Sequence, residues 1–222
     1  VYNSLMESLR QHVGQALADG SLPRARMQVL SILLKLRQVC CHPKLFLPDY
    51  EGTSGKLELL VQIVHNAIAA KHRILIFSQF VGMLQIIRKR LGREGVQTLY
   101  LDGETKPAKR QELCDRFNGG EGRVFLISLK AGGTGLNLTG ADLVIHYDPW
   151  WNPATEDQAT DRAHRIGQTR DVDVIRLIAQ DTIEEKVTDL SRRKRAIFDR
   201  VVLAGETELS SLTEEAIRSL FF

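Results

Sequence analysis

The stretch VFLISLKAGGTGLNLTGADLVIHY, residues 124–147, decides the architecture of this chain. It opens on a continuous apolar run, Val124–Ser128, passes through a glycine-rich loop and closes on a second run, Leu143–Tyr147. Neither run alternates apolar with polar residues, the mark of strands buried on both faces in a parallel sheet covered by helices. Outward from it, Ile74–Phe77, Val96–Leu101 and Val172–Ile178 repeat the pattern. Amphipathic stretches at Val81–Leu91, Lys106–Phe117 and Pro153–His164 separate these strands. Ser54 is placed to cap a further helix through Leu57, Leu60, Val61 and Val64. The expectation is an α/β domain over residues 55–180, a parallel sheet sandwiched by helices.

Helices flank it. Tyr2–Ala18 carries Leu5, Leu9, Val13 and Leu17, one apolar residue every four positions, and stops at Asp19-Gly20. A second helix, with Pro23 in its first turn, presents Met27, Leu30, Leu34 and Val39 until Pro43 ends it. The turn-rich segment Pro48–Gly52 sets a boundary, so residues 1–54 form a helical lead-in. Residues 181–222 are expected to add an Arg- and Lys-rich helix, Thr182–Leu203, and a short one near Leu212–Leu220.

The 222 residues are 43% hydrophobic and 26% charged, which places the chain among globular proteins and away from disorder or coiled coil. No apolar run reaches the ~18–20 residues of a membrane span, so no membrane partner is expected. Thirty Lys and Arg against 27 Asp and Glu give +3, which permits a polyanionic partner without requiring one. Three cysteines, with Cys40 and Cys41 adjacent, make no disulfide framework and fit a reducing intracellular compartment. The opening Val1-Tyr2-Asn3 has neither a start Met nor a signal pattern and reads as a piece of a longer protein.

In an open parallel sheet, ligands gather at the carboxyl ends of the strands. There lie Ser78-Gln79-Phe80, Asp102-Gly103, Lys130–Gly135 and Asp148–Pro153. Any one alone reads equally as an ordinary turn; four on one rim mark a site. The glycine loop is no dinucleotide fingerprint, because Leu138 stands where the third glycine belongs. The nearest approach to a Walker A loop, ending at Gly55-Lys56, has Tyr50 for its first glycine and Leu57 for its hydroxyl residue. No acidic pair closes an apolar strand to hold magnesium. The chain therefore lacks the parts that grip a nucleoside triphosphate unaided, while the amides of 130–135 can approach a phosphate closely.

In QATDRAHRIGQ, residues 158–168, helical spacing puts Gln158, Arg162 and Arg165 on one face. Asp157 or Asp161 can neutralise one of these arginines; for both, with a glutamine in phase, phosphate is the better partner. Cys40-Cys41-His42 lacks the spacing of a metal site, since vicinal cysteines serve one tetrahedral ion poorly and no second pair follows. His12, His65, His72 and His146 read as structural or surface residues. Trp150 and Trp151 are either core or, for at least one, an outward platform for base or sugar stacking.

The motifs ILIFSQF (74–80), LYLDGETKPAKR (99–110), FLISLKAGGTGLNLTGADLVIHYDPWWNP (125–153) and QATDRAHRIGQTR (158–170) closely resemble the second RecA-like lobe of SWI/SNF-type helicase-like ATPases. LLKLRQVCCHPKL (33–45) looks like that family's lead-in, and DPWWNP looks most like its bacterial members and some eukaryotic repair-associated relatives. The resemblance implies an ATP-driven translocase on double-stranded DNA, with ATP and Mg2+ held mainly by an N-terminal RecA-like lobe outside this chain. It implies that Arg162 and Arg165 reach the γ-phosphate and that Gly133, Gly135 and Gln158 lie near the nucleotide. Ser78, Gln79, Asp102, Gly103, Lys130, Ala131, Gly132 and Trp151 fall in motifs that track a DNA strand's backbone. Residues 1–54 would be the lobe's helical protrusion and 181–222 helices that brace it. A bacterial cytoplasm or nucleoid is the expected location, a nucleus the alternative. The competing reading is a standalone nucleic-acid- or protein-binding module without an ATPase role, which the arginine pair disfavours.

Overall fold

The computed structural model describes residues 1–18, 22–132, 136–150, 153–161, 163 and 171–189. In chain order its helices are α1 (Tyr2–Ala18), α2 (Leu22–Cys41), α3 (Gly55–Ala69), α4 (Val81–Arg93), α5 (Pro107–Asn118), the single turn α6 (Leu129–Gly132) and α7 (Pro153–Thr160). The strands are β1 (Ile74–Ser78), β2 (Thr98–Leu101), β3 (Val124–Ser128), β4 (Leu143–His146) and β5 (Asp173–Arg176). Two compact units emerge: residues 53–178, and residues 1–52 with the described residues from Ala179 on.

Every residue of β1, β3 and β4 is buried, and these are the continuous apolar runs of the sequence. They form the middle of an all-parallel sheet of order β2-β3-β1-β4-β5, with Ile74 opposite Val124 on one side and Leu143 on the other. The edge strands have one half-exposed face or more: β2 alternates and β5 begins and ends on exposed Asp173 and Arg176. Right-handed crossovers fix which face each helix covers. The step from β1 to β2 runs one way along the sheet, and the later steps run back. Accordingly Leu113, Cys114 and Phe117 of α5, Ala131 of α6 and Ala159 of α7 share one core with Leu75, Phe77, Phe125, Ile127 and Val144. The buried Met83, Leu84, Ile87 and Leu91 of α4 stand outside that core.

Three strands, β2, β4 and β5, are shorter than their apolar runs. Val96 does not join β2 because it finishes the cap of α4: its N–H bonds to Leu91 O at 3.0 Å, and that of Gly95 bonds to Gly92 O at 3.1 Å. This is a Schellman cap with Gly95 at φ +78°. At the end of α3 the same pair of bonds recurs, His72 N–H to Ala67 O at 2.8 Å and Lys71 N–H to Ile68 O at 3.0 Å. There the left-handed position is held by Lys71, at φ +67°. At the other end of α3, Ser54 caps as expected, its hydroxyl accepting the Leu57 N–H at 3.2 Å.

In the other unit, α2 does not present the face expected of it. Val29, Ile32, Leu33, Leu36 and Val39 are buried, at helical spacing, while Leu34 is 48% exposed. Cys41 is buried at the helix end, and His42 caps the following turn, its Nδ1 accepting the Lys44 N–H at 3.1 Å while its ring meets Tyr50 edge-on. The first and last described segments meet, for Tyr2 Oη accepts the Ile183 N–H at 2.7 Å. Burial and the nearby Cys40 push the Tyr2 phenol well above its ordinary pKa. A helix covers 183–189, opened by Thr182, whose hydroxyl accepts the Glu184 N–H at 3.2 Å. Leu212–Leu220 and the rest of Thr182–Leu203 lie outside the described residues, as do Asp19 and Gly20.

The two Schellman caps make opposite demands. A side chain in the left-handed region costs about 1–2 kcal/mol, against the ~0.5–1 kcal/mol of extra unfolded-state freedom that glycine carries. Lys71→Gly is therefore expected to stabilise the protein by about 0.5–1 kcal/mol, and Gly95→Ala, whose added methyl meets nothing within 4 Å, to destabilise it by about 1 kcal/mol. Urea unfolding of both variants checks the pair of signs; a loss of stability in Lys71→Gly contradicts the cap assignment.

Candidate functional site

Because α4 leaves β1 in one direction and α7 leaves the adjacent β4 in the other, a crevice opens between the carboxyl ends of these strands. Asp148 sits at its base, fully buried. One carboxylate oxygen accepts the Ser78 hydroxyl, and the other takes the Gln79 N–H at 3.4 Å. The Ser78 oxygen in turn accepts the Phe80 N–H at 3.1 Å, fixing the entry to α4. At the amino ends of the same strands Asp142 mirrors this, accepting the Arg73 N–H at 2.8 Å. The side chain of Ser78, one of the expected DNA contacts, is thus turned inward to Asp148. That of Gln79 is half-buried, and its Nε2 is buried without a hydrogen-bond partner among the described residues.

Next along the rim, the expected glycine loop begins as a helical turn. Ser128 Oγ accepts the Ala131 N–H at 3.4 Å, Ala131 is buried in the core and Lys130 faces solvent. The methyl of Ala131 explains the difference: it completes the core beneath the loop, which winds the segment before its glycines. After β2, Asp102 works on its own loop. It accepts from Tyr100 Oη–H at 2.8 Å, Glu104 N–H at 3.0 Å and Thr105 Oγ1 at 3.2 Å. Burial raises its pKa, but these bonds outweigh it and hold the carboxyl below its ordinary value; the same pairing and burial push Tyr100 up to about 12. Arg110 ties the loop down through Thr105 O at 2.7 Å and Gly103 O at 3.0 Å, leaving Gly103 exposed at the tip.

On the other side of the crevice α6 packs against α7. Gln158 is exposed on α7, whereas Glu156, Ala159 and Ala163 are buried. Trp150 packs on the core rather than standing outward. Gly133, Gly135, Trp151, Arg162 and Arg165 lie outside the described residues, and Gly132 ends α6. Sequence spacing gave no sign of the parts played by Asp148, Glu156, His146 or Arg110; the acid directly after an apolar strand was the one available clue to Asp148.

His146, on the last position of β4, stacks on Phe77 at 5.6 Å and shares a 3.0 Å hydrogen bond with Thr160 Oγ1 of α7. Burial, only partly opposed by Glu156, lowers its pKa from 6.5 to about 4. The folded state therefore binds fewer protons than the unfolded chain between these values, and stability present above pH 6.5 is lost as pH falls toward 4. At ~1.4 kcal/mol per unit the loss reaches up to about 3 kcal/mol. His146→Phe, which cannot titrate, is expected to lose that much less between pH 7 and pH 4. Urea titrations at the two pH values decide it, and equal losses in both proteins remove His146 as the cause.

Comparison with known proteins places this geometry. The helicase conserved C-terminal domain model matches residues 55–167. An uncharacterized ATP-dependent helicase of Mycoplasma pneumoniae is 39% identical over 199 residues, covering 89% of this chain and 19% of that protein. The chain spans about a fifth of the length of such curated relatives. The Sulfolobus solfataricus SWI2/SNF2 ATPase core in complex with dsDNA matches with a TM-score of 0.81 at 33% identity, over 99% of this chain and 47% of that one. The Sulfolobus solfataricus SWI2/SNF2 ATPase C-terminal domain matches with a TM-score of 0.78 at 30% identity, over 99% of this chain and 92% of that one. With its five-stranded parallel sheet and flanking helices, the chain belongs to the helicase conserved C-terminal domain family, as the RecA-like C-terminal lobe of a SWI/SNF-type helicase-like ATPase.

Proposed function

We propose that this chain is the second motor lobe of an ATP-dependent translocase or remodeller acting on double-stranded DNA, and that it completes an ATP site begun by an N-terminal RecA-like lobe. The observation that carries the reading is the packing of α6 on α7 beside the switch-point crevice. It sets Lys130 and the start of the glycine loop next to the helix whose sequence runs on into Arg162 and Arg165. Relatives named ATP-dependent helicases and a SWI2/SNF2 core in complex with dsDNA supply the substrates.

On this reading Gly133, Gly135 and Gln158 face the nucleotide, and Arg162 and Arg165 meet charge growing on the transferring phosphoryl group. ATP and Mg2+ are held mainly by the first lobe. The carboxylates on this rim are already engaged, Asp148 by Ser78 and Gln79 and Asp102 by its own loop, so they serve geometry. Along the DNA backbone, Lys130 and Trp151 offer side chains beside the half-buried Gln79. Ser78, Asp102, Gly103, Ala131 and Gly132 offer backbone, shaped by the bonds that the first four make. Residues 1–54 act as the protrusion and 181–222 as bracing helices.

By itself the lobe is expected to show no DNA-stimulated ATP turnover, and to bind unrelated duplexes weakly with a steep loss as salt rises. Phosphate release and fluorescence anisotropy across a salt series check both; tight binding to one sequence, indifferent to salt, contradicts a backbone reader. In the full-length protein Arg165→Ala should cut turnover by about 10³–10⁵, roughly 4–7 kcal/mol, with DNA affinity and melting temperature nearly unchanged. Arg165→Lys should recover little, because an ammonium cannot reproduce the planar fork. A folded Arg165→Ala protein that keeps most of its turnover refutes the finger assignment.

A further inference from the structure

Glu156 is the residue on α7 whose placement neither catalysis nor solubility explains. A carboxylate in the middle of a protein is costly unless its oxygens are satisfied. That of Glu156 is 8% exposed, and both oxygens are used. Oε1 accepts the Trp150 backbone N–H at 2.8 Å, and Oε2 accepts from Arg176 Nε at 2.8 Å. Arg176 belongs to the edge strand β5, and its outer nitrogen lies 3.8 Å from Asp157 of the same helix. One side chain in the first turn of α7 thus joins three pieces of chain: the loop after β4, the helix and the last strand. One turn on, Thr160 meets His146 of β4 at 3.0 Å. Glu156, Ala159 and Thr160 form the inner stripe of the helix, with exposed Gln158 on the far side, and Ala163 is buried in the turn just after it.

We infer that Glu156, through Arg176 and the Trp150 backbone, is a positioning residue that sets the register of α7 and so places Arg162 and Arg165, which follow it in the sequence. This rests on the motor-lobe reading above. A guanidinium serves a transition state only within a narrow tolerance, since misplacement by about 1 Å costs ~10²-fold in rate. A hydrophobic residue in the first turn would bury as well, but it would remove the acceptor that Glu156 gives to the Trp150 N–H and to Arg176 Nε.

The test is steady-state ATP turnover of the full-length protein with saturating double-stranded DNA, for Glu156→Gln, Arg176→Ala, their double variant and Arg165→Ala. Glu156→Gln keeps an acceptor for Trp150 and loses the ionic bond. Each of the first two is expected to lower kcat about tenfold with KM for ATP, DNA affinity and melting temperature held. The double variant should fall within about threefold of the slower single, because Arg176 acts through Glu156. An unchanged kcat in the folded singles, a double variant slower by the product of both effects, or losses that track melting temperature each overturn the inference. Arg165→Ala separates the two readings: if it keeps turnover the finger assignment fails, and if it alone loses turnover only the positioning role fails. Should Glu156→Gln melt below the assay temperature, Arg176→Ala and Arg176→Lys decide. The side chain of Arg176 is 41% exposed, and a kcat equal to wild type in both refutes the inference.

Discussion

The pairing of β1 with β4 is the constraint on which the lobe depends, and two aspartates hold it at either end. Asp142 binds the chain just before β1, and Asp148 binds the residues that leave it. Between them Phe77 and His146 stack across the pair. This is the junction where the winding of the sheet reverses, so its crevice is open by topology rather than by missing side chains. A buried carboxylate there converts an unavoidable gap into a defined one. The loops after β1 and β4 cannot drift apart without breaking the bonds of the buried Asp148 carboxyl to Ser78 and Gln79.

From that junction the other rim loops follow the same economy. Asp102 is spent on Tyr100, Glu104 and Thr105, Ser128 on Ala131, and Glu156 on Trp150 and Arg176. The polar side chains of the motifs mostly bind their own backbone. Lys130 and Gln158 are left exposed to solvent.

How much of this was legible in the sequence depends on whether a residue's reason is local. β1, β3 and β4 could be read because burial on both faces leaves an unbroken apolar run. The start of β2 could not: Val96 looks like strand, and only the bonds that close α4 claim it for the cap. The buried face of α2 was misplaced because Leu30, Leu34 and Val29, Leu33, Leu36 are equally good stripes until a neighbour chooses one. Ser78 and Asp102 stand at the carboxyl ends of their strands, but the direction of their side chains depends on partners, and for Ser78 the partner is 70 positions away. A lone Glu in a first turn carries no signal at all; Glu156 acquires its place only when Trp150 and Arg176 arrive around it.

The strand order has a consequence for how such a lobe comes into being. As the chain leaves the ribosome, β1 emerges first, but its neighbours in the sheet are β3 and β4, while β2, which emerges next, finds its place only beside β3. A buried, largely apolar strand must therefore wait, with α4 as its early cover, until Val124 and then Leu143 are synthesised. Non-local parallel pairing of this kind folds slowly and exposes sticky intermediates. Truncations that end before β4 leave the central strand unpaired along one side.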